Sequence, residues 1–251
     1  MRCIHLSDEH WHSDNGDNQR QLAVIQALRP YRKTHYLLGT GDITDDGGRD
    51  QYLRVQDAMA EWKGRWFFCP GNHDCGWAGW EWRSECAIRF DMMLSDPFHQ
   101  GRSFFAKEAP VVNLLEDGKD RVLLVALNSV PATVDPGDFA CGEIGRVQLE
   151  ALSGVLKTAP PGVPVIVMVH HHPWYHWHPF MYLKDAGALL MRLRGKIDLL
   201  LFGHRHKGEQ WRDRWNIPWS IAAPSTPEAG WADEIVIEDG HIEIRRLTWT
   251  T

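Results

Sequence analysis

Apolar residues in this chain gather in short runs. Cys3 to Leu6, Tyr36 to Leu38, Trp66 to Cys69, Val122 to Leu127, Val163 to Val169 and Ile197 to Phe202 are rich in β-branched and aromatic residues, the pattern of buried strands. Between several of them apolar positions recur at helical spacing, over Asn18 to Leu28, Gln51 to Trp62, Gly145 to Leu156 and Ala186 to Leu193. This repetition of strand then helix predicts an α/β fold. The last quarter changes character: Trp211 to Ala222 and Glu234 to Arg246 read as strands joined by tight turns, the final pair around Asp239-Gly240, which predicts an antiparallel end. No internal repeat, Ser/Gly linker or charge block interrupts the pattern. The Pro-containing stretches at Ala159 to Pro164 and Pro173 to Pro179 are loop-sized, so a single domain over residues 1–251 is expected.

Composition narrows the function classes. With 251 residues, 43% hydrophobic and 24% charged, the chain can bury a core of its own, and the disordered and low-complexity classes are excluded. Twenty-seven Lys and Arg against 33 Asp and Glu give a net charge of −6, without the basic surplus a nucleic-acid binder needs. The five cysteines, Cys3, Cys69, Cys75, Cys86 and Cys141, are odd in number and never spaced as CxxC, which points to reduced thiols and a cytoplasmic compartment. The opening MRCIHLSDEHW holds too short an apolar run for a secretory leader, and no stretch approaches the roughly 20 apolar residues of a membrane span. Thirteen Trp and 14 His remain to be explained.

Most of the early apolar runs end alike, passing into acidic, amide or imidazole residues: Asp8-Glu9-His10, Gly41-Asp42, Gly71-Asn72-His73-Asp74, His170-His171-His172 and Gly203-His204-Arg205-His206. Open α/β sheets bind ligands beyond the carboxyl ends of their strands, so the five endings are expected to converge on one crevice. A D-x-H triplet is expected about once by chance, but GHxH only roughly 0.07 times and GNHD roughly 0.002 times, so the last two carry the weight. Residues two apart on an extended chain point the same way, which pairs Asp8 with His10 and His204 with His206. Glycine before Asp42, Asn72 and His204 allows sharp turns and close backbone approach. Three or four imidazoles, two carboxylates and one amide oxygen suit Mn, Fe, Co or Zn and are too nitrogen-rich for a Ca²⁺ or Mg²⁺ cage.

In that order, D-x-H, G-D, G-N-H-D, H and G-H-x-H, the motifs resemble the calcineurin-like metallophosphoesterases, over about four fifths of the chain. LSDEHW, GDITDDG, GNHD, HHHP and GHRH look most like the bacterial cyclic-nucleotide and glycerophosphodiester phosphodiesterase branch, as does Gly142-Glu143-Ile144 followed by Gln148-Leu149. The resemblance implies a four-layer αββα sandwich of two mixed sheets flanked by helices, with a dinuclear metal site at the carboxyl ends of the strands. It further implies that Asp8, His10 and His206 hold one ion, that Asn72, His170 and His204 hold the other, and that Asp42 bridges them. His170 is preferred to His171 because it directly follows the strand. His73 is expected to face the substrate as the proton donor to the leaving group, with Asp74 as the carboxylate that orients it. The implied reaction is hydrolysis of a small organic phosphodiester, cyclic nucleotides included, by a metal-bridging hydroxide attacking phosphorus in line.

Other residues have blander readings. His5, His35, His99 and His241 are expected to be structural or solvated. The stretch Trp174-Tyr175-His176-Trp177-His178 either rims the crevice, with His171, Trp174 and His176 as substrate contacts, or simply packs. Trp77, Trp80 and Trp82 are expected to pack, on a helix face. His12 is a candidate rim contact, Cys75 a buried thiol, and Asp45 and Asp46 a helix cap or loop anions. The segment after HHHP departs from the branch's usual pattern where substrate selection is expected. Phosphomonoesterase and nucleotide pyrophosphohydrolase activities therefore stay open, followed by nuclease and, last, a non-catalytic metal-bound scaffold. Self-association is also left open.

Overall fold

The computed structural model describes residues 1–77, 82–98, 103–106, 108–132, 140–174 and 180–249. Eleven strands are described in it: β1 (Arg2–Leu6), β2 (Tyr36–Thr40), β3 (Trp66–Cys69), β4 (Val111–Asp117), β5 (Asp120–Ala126), β6 (Val165–Met168), β7 (Leu199–Phe202), β8 (Glu209–Arg214), β9 (Ile217–Ala222), β10 (Trp231–Glu238) and β11 (His241–Thr248). The helices are α1 (Gln19–Leu28), α2 (Arg49–Met59), α3 (Ser84–Phe90), α4 (Arg146–Lys157), α5 (Ala186–Leu193) and the short α6 (Thr226–Ala229).

The strands form two mixed sheets, β11-β10-β1-β2-β3 and β4-β5-β6-β7-β9-β8. In the first, β1, β2 and β3 are parallel and β10 and β11 antiparallel. In the second, β5, β6, β7 and β9 are parallel, with β4 and β8 antiparallel at the edges. Alternation of side chains sorts the second sheet's residues between two cores. Val122, Leu124, Ala126, Ile166, Met168, Leu199 and Leu201 pack with residues of the first sheet, α1 and α2. Their neighbours Leu123, Val125, Val165, Val167 and Leu200 pack under α4 and α5. Each of those helices buries one stripe, Leu149, Leu152 and Leu156 on α4 and Ala186, Leu189, Leu190 and Leu193 on α5, at the helical repeat. The expected sandwich of two sheets between helices is the observed one.

Several elements differ from the sequence reading. β4 and α3 were not anticipated, and the two C-terminal hairpins join different sheets, with β9 also lying parallel to β7. Trp77 is not on a buried helix face but 57% exposed, whereas Trp82 does pack, against Cys75, Ala87 and Val130. Trp80 and His99 lie outside the described residues. No described helix is long and apolar enough to cross a membrane.

Candidate metal centre

The loops after β1, β2, β3, β6 and β7 meet edge to edge. Asp8 and His10 donate backbone N–H groups to the carbonyls of Gly41 (3.0 Å) and Asp42 (3.0 Å), so the first two loops run side by side. Gly203 N–H donates to the carbonyl of His170 (3.0 Å), and His204 N–H to both carboxylate oxygens of Asp8 (3.1 Å each). His73 N–H donates to Asp42 Oδ1 (2.9 Å). Such close approach leaves no room for side chains: a Cβ on Gly71 would stand 2.2 Å from Asp42 N, and one on Gly203 1.9 Å from Ser7 Oγ.

Within this joint the candidate donors form three groups, Asp8 with His10 and His206, His10 with Asp42 and His73, and Asp42 with His170 and His204, each with its donor atoms within 4.8 Å of one another. His170 Nε2 lies 3.0 Å from Asn72 Oδ1, 3.1 Å from His204 Nδ1 and 3.1 Å from Asp42 Oδ2. Across the cluster His10 Nε2 lies 3.2 Å from His206 Nε2, while His206 Nε2 lies 3.4 Å from Asp8 Oδ1 and His10 Nε2 4.0 Å from Asp42 Oδ2. Asp42 is thus common to both halves.

The backbone is strained where the donors sit. Asp8 (φ 54°), His10 (48°), Asp42 (51°), His204 (74°) and His206 (55°) all occupy the left-handed region that residues with a Cβ rarely adopt. Such strain persists only where surrounding structure imposes it, and it concentrates at functional sites. Neighbouring hydroxyls supply part of that imposition: Ser225 Oγ donates to the carbonyl of Asp8, and Thr226 Oγ1 to that of Ser7.

Burial and charge set the protonation states. Desolvation opposes charge on both Asp42 and His170, but their contact outweighs it, holding Asp42 well below the usual carboxylate range and pushing His170 up to about 9. Burial lowers His10 to about 3, and burial with neighbouring imidazoles lowers His204 and His171 well below the ordinary histidine range. Neutral imidazoles and ionised carboxylates are the forms that bind divalent ions, so binding here would displace the proton that Asp42 stabilises on His170 and keep Asp8, whose pKa burial raises, ionised. His170 Nδ1–H donates to the Thr40 carbonyl (2.7 Å), leaving Nε2 to face Asn72, Asp42 and His204. These residues fit a pair of divalent ions.

Three sequence expectations change. Asp74 does not orient His73: its carboxylate accepts from Gly71 N–H (2.9 Å), Ile43 N–H (3.3 Å) and Thr44 N–H and Oγ1 (2.8 and 2.9 Å), tying the loop after β2 to the loop after β3. Burial and the charge of Asp42 push Asp74 up to about 6. The His73 ring is held instead by Nδ1–H donating to the Asp45 carbonyl (2.7 Å). His171 is not a rim contact but fully buried, with Nδ1 2.7 Å from Ser129 Oγ and its ring against that of His204. Trp174 is 7% exposed and packs on Phe202 and Trp211 beneath Arg214. His176 and its neighbours Tyr175, Trp177 and His178 lie outside the described residues.

The blander readings mostly describe what is seen. His5 is buried with Nε2 2.9 Å from Thr40 Oγ1, and His35 Nε2 lies 2.9 Å from Glu234 Oε1. His12 sits beside the cluster, 3.5 Å from Asp45. Asp46 accepts from Gly48 N–H just before α2, and all five cysteines are buried and none forms a disulfide.

Comparison with known proteins agrees with the motifs. The family model for calcineurin-like phosphoesterases matches residues 1–208. A 3',5'-cyclic-nucleotide phosphodiesterase of Nostoc sp. is 28% identical over 82% of this chain and 68% of its own length. The 3',5'-cyclic adenosine monophosphate phosphodiesterase CpdA of Escherichia coli is 26% identical over 90% of this chain and 76% of its own. Among solved structures, a dimetal phosphatase from Danio rerio superposes with a TM-score of 0.70 at 15% identity, covering 100% of this chain and 99% of that one, which establishes the shared fold.

Proposed function

The chain belongs to the calcineurin-like phosphoesterases and is a metal-dependent phosphoester hydrolase, and from that premise we propose that it cleaves small organic phosphodiesters at the cluster around Asp42. The observation that carries this reading is the donor set itself: three overlapping groups of side chains from the loops after β1, β2, β3, β6 and β7, with the buried Asp42 in two of them. In the proposed assignment Asp8, His10 and His206 hold one ion, Asn72, His170 and His204 the other, and Asp42 both. The mixture of imidazole, carboxylate and amide oxygen favours Mn, Fe, Zn or Co. When bound, such a pair supplies a nucleophilic water near neutral pH and neutralises phosphate charge.

The chain's own residues do the rest. Asp74 fixes the spacing of the loops that carry Asp42 and Asn72. His73, its ring set edge-on against His10 (centroids 4.5 Å apart) and anchored at Asp45, is the proposed proton donor to the departing alkoxide. The 3',5'-cyclic-nucleotide specificity in the names of the relatives, and the chain's net charge of −6, favour a small diester over a polyanion. The buried thiols, none in a disulfide, support a cytoplasmic enzyme.

The test is hydrolysis of bis-p-nitrophenyl phosphate beside p-nitrophenyl phosphate after chelation and after separate addition of Mn²⁺, Zn²⁺ or Mg²⁺. Metal-restored cleavage favouring the diester is expected. Preference for the monoester would make the protein a phosphatase, and no turnover with any metal would leave a binding scaffold.

A further inference from the structure

The outer edge of the first sheet is open. β11 pairs along one side with β10, from Trp231 opposite Thr248 to Glu238 opposite His241, and among the described residues nothing pairs with its other side. A long edge of unpaired N–H and C=O groups is a template for another strand. Proteins commonly blunt such edges with charge, often lysine, but β11 carries both signs. Glu243 (61% exposed) and Arg245 (46% exposed) flank Ile244 on one face, with Arg245 Nη2–H and Nε–H donating to the two Glu243 carboxylate oxygens (2.8 and 2.9 Å).

This arrangement is complementary to itself. Two copies joined by antiparallel edge strands are related by a two-fold axis, so the same surface serves both. The axis keeps each side chain on its own face of the sheet, and successive residues alternate between faces, so one residue always meets its own copy. Centring the pair on Glu243 opposes two carboxylates, and centring it on Arg245 or Arg246 opposes two guanidiniums, which is destabilising. Centring on Ile244 opposes two isoleucines, sets each Glu243 against the partner's Arg245, and overlaps the strands from His241 to Leu247.

The apolar face agrees. Ile242 and Ile244 are only half buried at the rim of the core, opposite Ile237 and Ile235 of β10, and a second Ile244 would cover that rim. Arg246 is held away from the axis, over the Trp231 ring at 3.7 Å. The other edges lack the match: β3 is short, β4 offers no cation to face Glu116 and Asp117, and β8 is turned by Asp213 at φ 52°. We propose that a second copy of this chain docks on β11, antiparallel about Ile244, so that the two first sheets become one. β10 separates β11 from β1, so the interface uses no residue of the metal cluster and the inference is independent of the phosphodiesterase reading.

The test is sedimentation equilibrium of the full chain over about 1–300 µM, the range suited to an interface of modest area. The mass is expected to rise from one chain toward two. Arg245→Glu and Glu243→Arg, both at exposed positions, place like charges across the axis and should each weaken association about tenfold. An equimolar mixture of these two variants should form heterodimers, because every charge then meets its opposite. The double variant Glu243→Arg/Arg245→Glu should recover self-association for the same reason. Circular dichroism is expected to be unchanged in all of them, which ties the losses to the charges. A single-chain mass throughout, association unmoved by either single variant, as for contact through another face, or no recovery in the mixture and the double variant would overturn the proposal.

Discussion

His73 and Asp42 make different demands on a substitution. Removing Asp42 takes away the one donor common to both halves of the cluster and the carboxylate that His170 Nε2 faces at 3.1 Å. Asp42→Ala is therefore expected to cost several kcal/mol of transition-state stabilisation, a fall of about a thousandfold in kcat/KM, with metal content dropping from two ions per chain. His73→Ala is expected to retain both ions yet slow cleavage of an alkyl leaving group about 10²–10⁴-fold, and that of p-nitrophenolate much less, because the latter departs without a proton. Equal losses on the two leaving groups would refute the acid assignment. His5 makes a separate prediction. Burial lowers it to about 3 from 6.5, so between those values the unfolded chain binds a proton that the folded chain refuses, and stability falls as pH drops below 6.5. From pH 7 to pH 5 the loss at this one residue is about 2 kcal/mol, and urea midpoints for the protein and for His5→Gln should diverge accordingly. That the donor residues would gather in one cluster was legible because their types are scarce and their spacing short. What orients His73 and His170 was not, since the Asp45 and Thr40 carbonyls are backbone atoms with no signature in the sequence. Asp74 was misread for a related reason: adjacency in the chain suggested His73 as its partner, while the fold gave its oxygens four donors from Gly71, Ile43 and Thr44.

At the scale of elements, the centre depends on loops meeting without side chains between them. Gly203→Ala puts a Cβ 1.9 Å from Ser7 Oγ and 2.6 Å from Asp8 Oδ2, so β1 and β7 must separate where Asp8 receives the His204 N–H. The expected outcome is about 1–3 kcal/mol of lost stability together with weakened metal binding, read by calorimetry and by metal titration. An unchanged metal affinity would show that the Asp8 side of the cluster tolerates the displacement. The central strands could be read from the sequence because parallel strands buried on both faces appear as unbroken apolar runs. β4 could not, because it is an edge strand whose Asn113, Glu116 and Asp117 break the run. α3, at seven residues, spans too few turns to show a period. Nor does local spacing say which sheet a hairpin will join: β8 and β9 close one sheet and β10 and β11 the other, a choice made by long-range pairing.

For the whole molecule, bound ions should act as a fastener. Two buried carboxylates and several imidazoles share the cluster, and a ligand that binds only the folded chain stabilises it by about 4 kcal/mol at a thousandfold excess over Kd. Chelation is accordingly expected to lower Tm by about 10 °C in a chain of this size, with recovery on adding Mn²⁺ or Zn²⁺. A Tm indifferent to chelation would argue that the cluster is satisfied by its own hydrogen bonds. The donors run from Asp8 to His206, and β1, which delivers the first of them, is flanked by β2 and by β10, far along the chain. Asp8 and His10 thus gain their partner His206 from a segment far along the chain. A chain cut before His204 keeps Asp8, His10, Asp42, Asn72 and His170 but lacks the imidazole that completes each half of the cluster, and is expected to hold metal weakly. Metal uptake in this protein would therefore report that the two sheets have closed on each other, since each contributes donors that the other lacks.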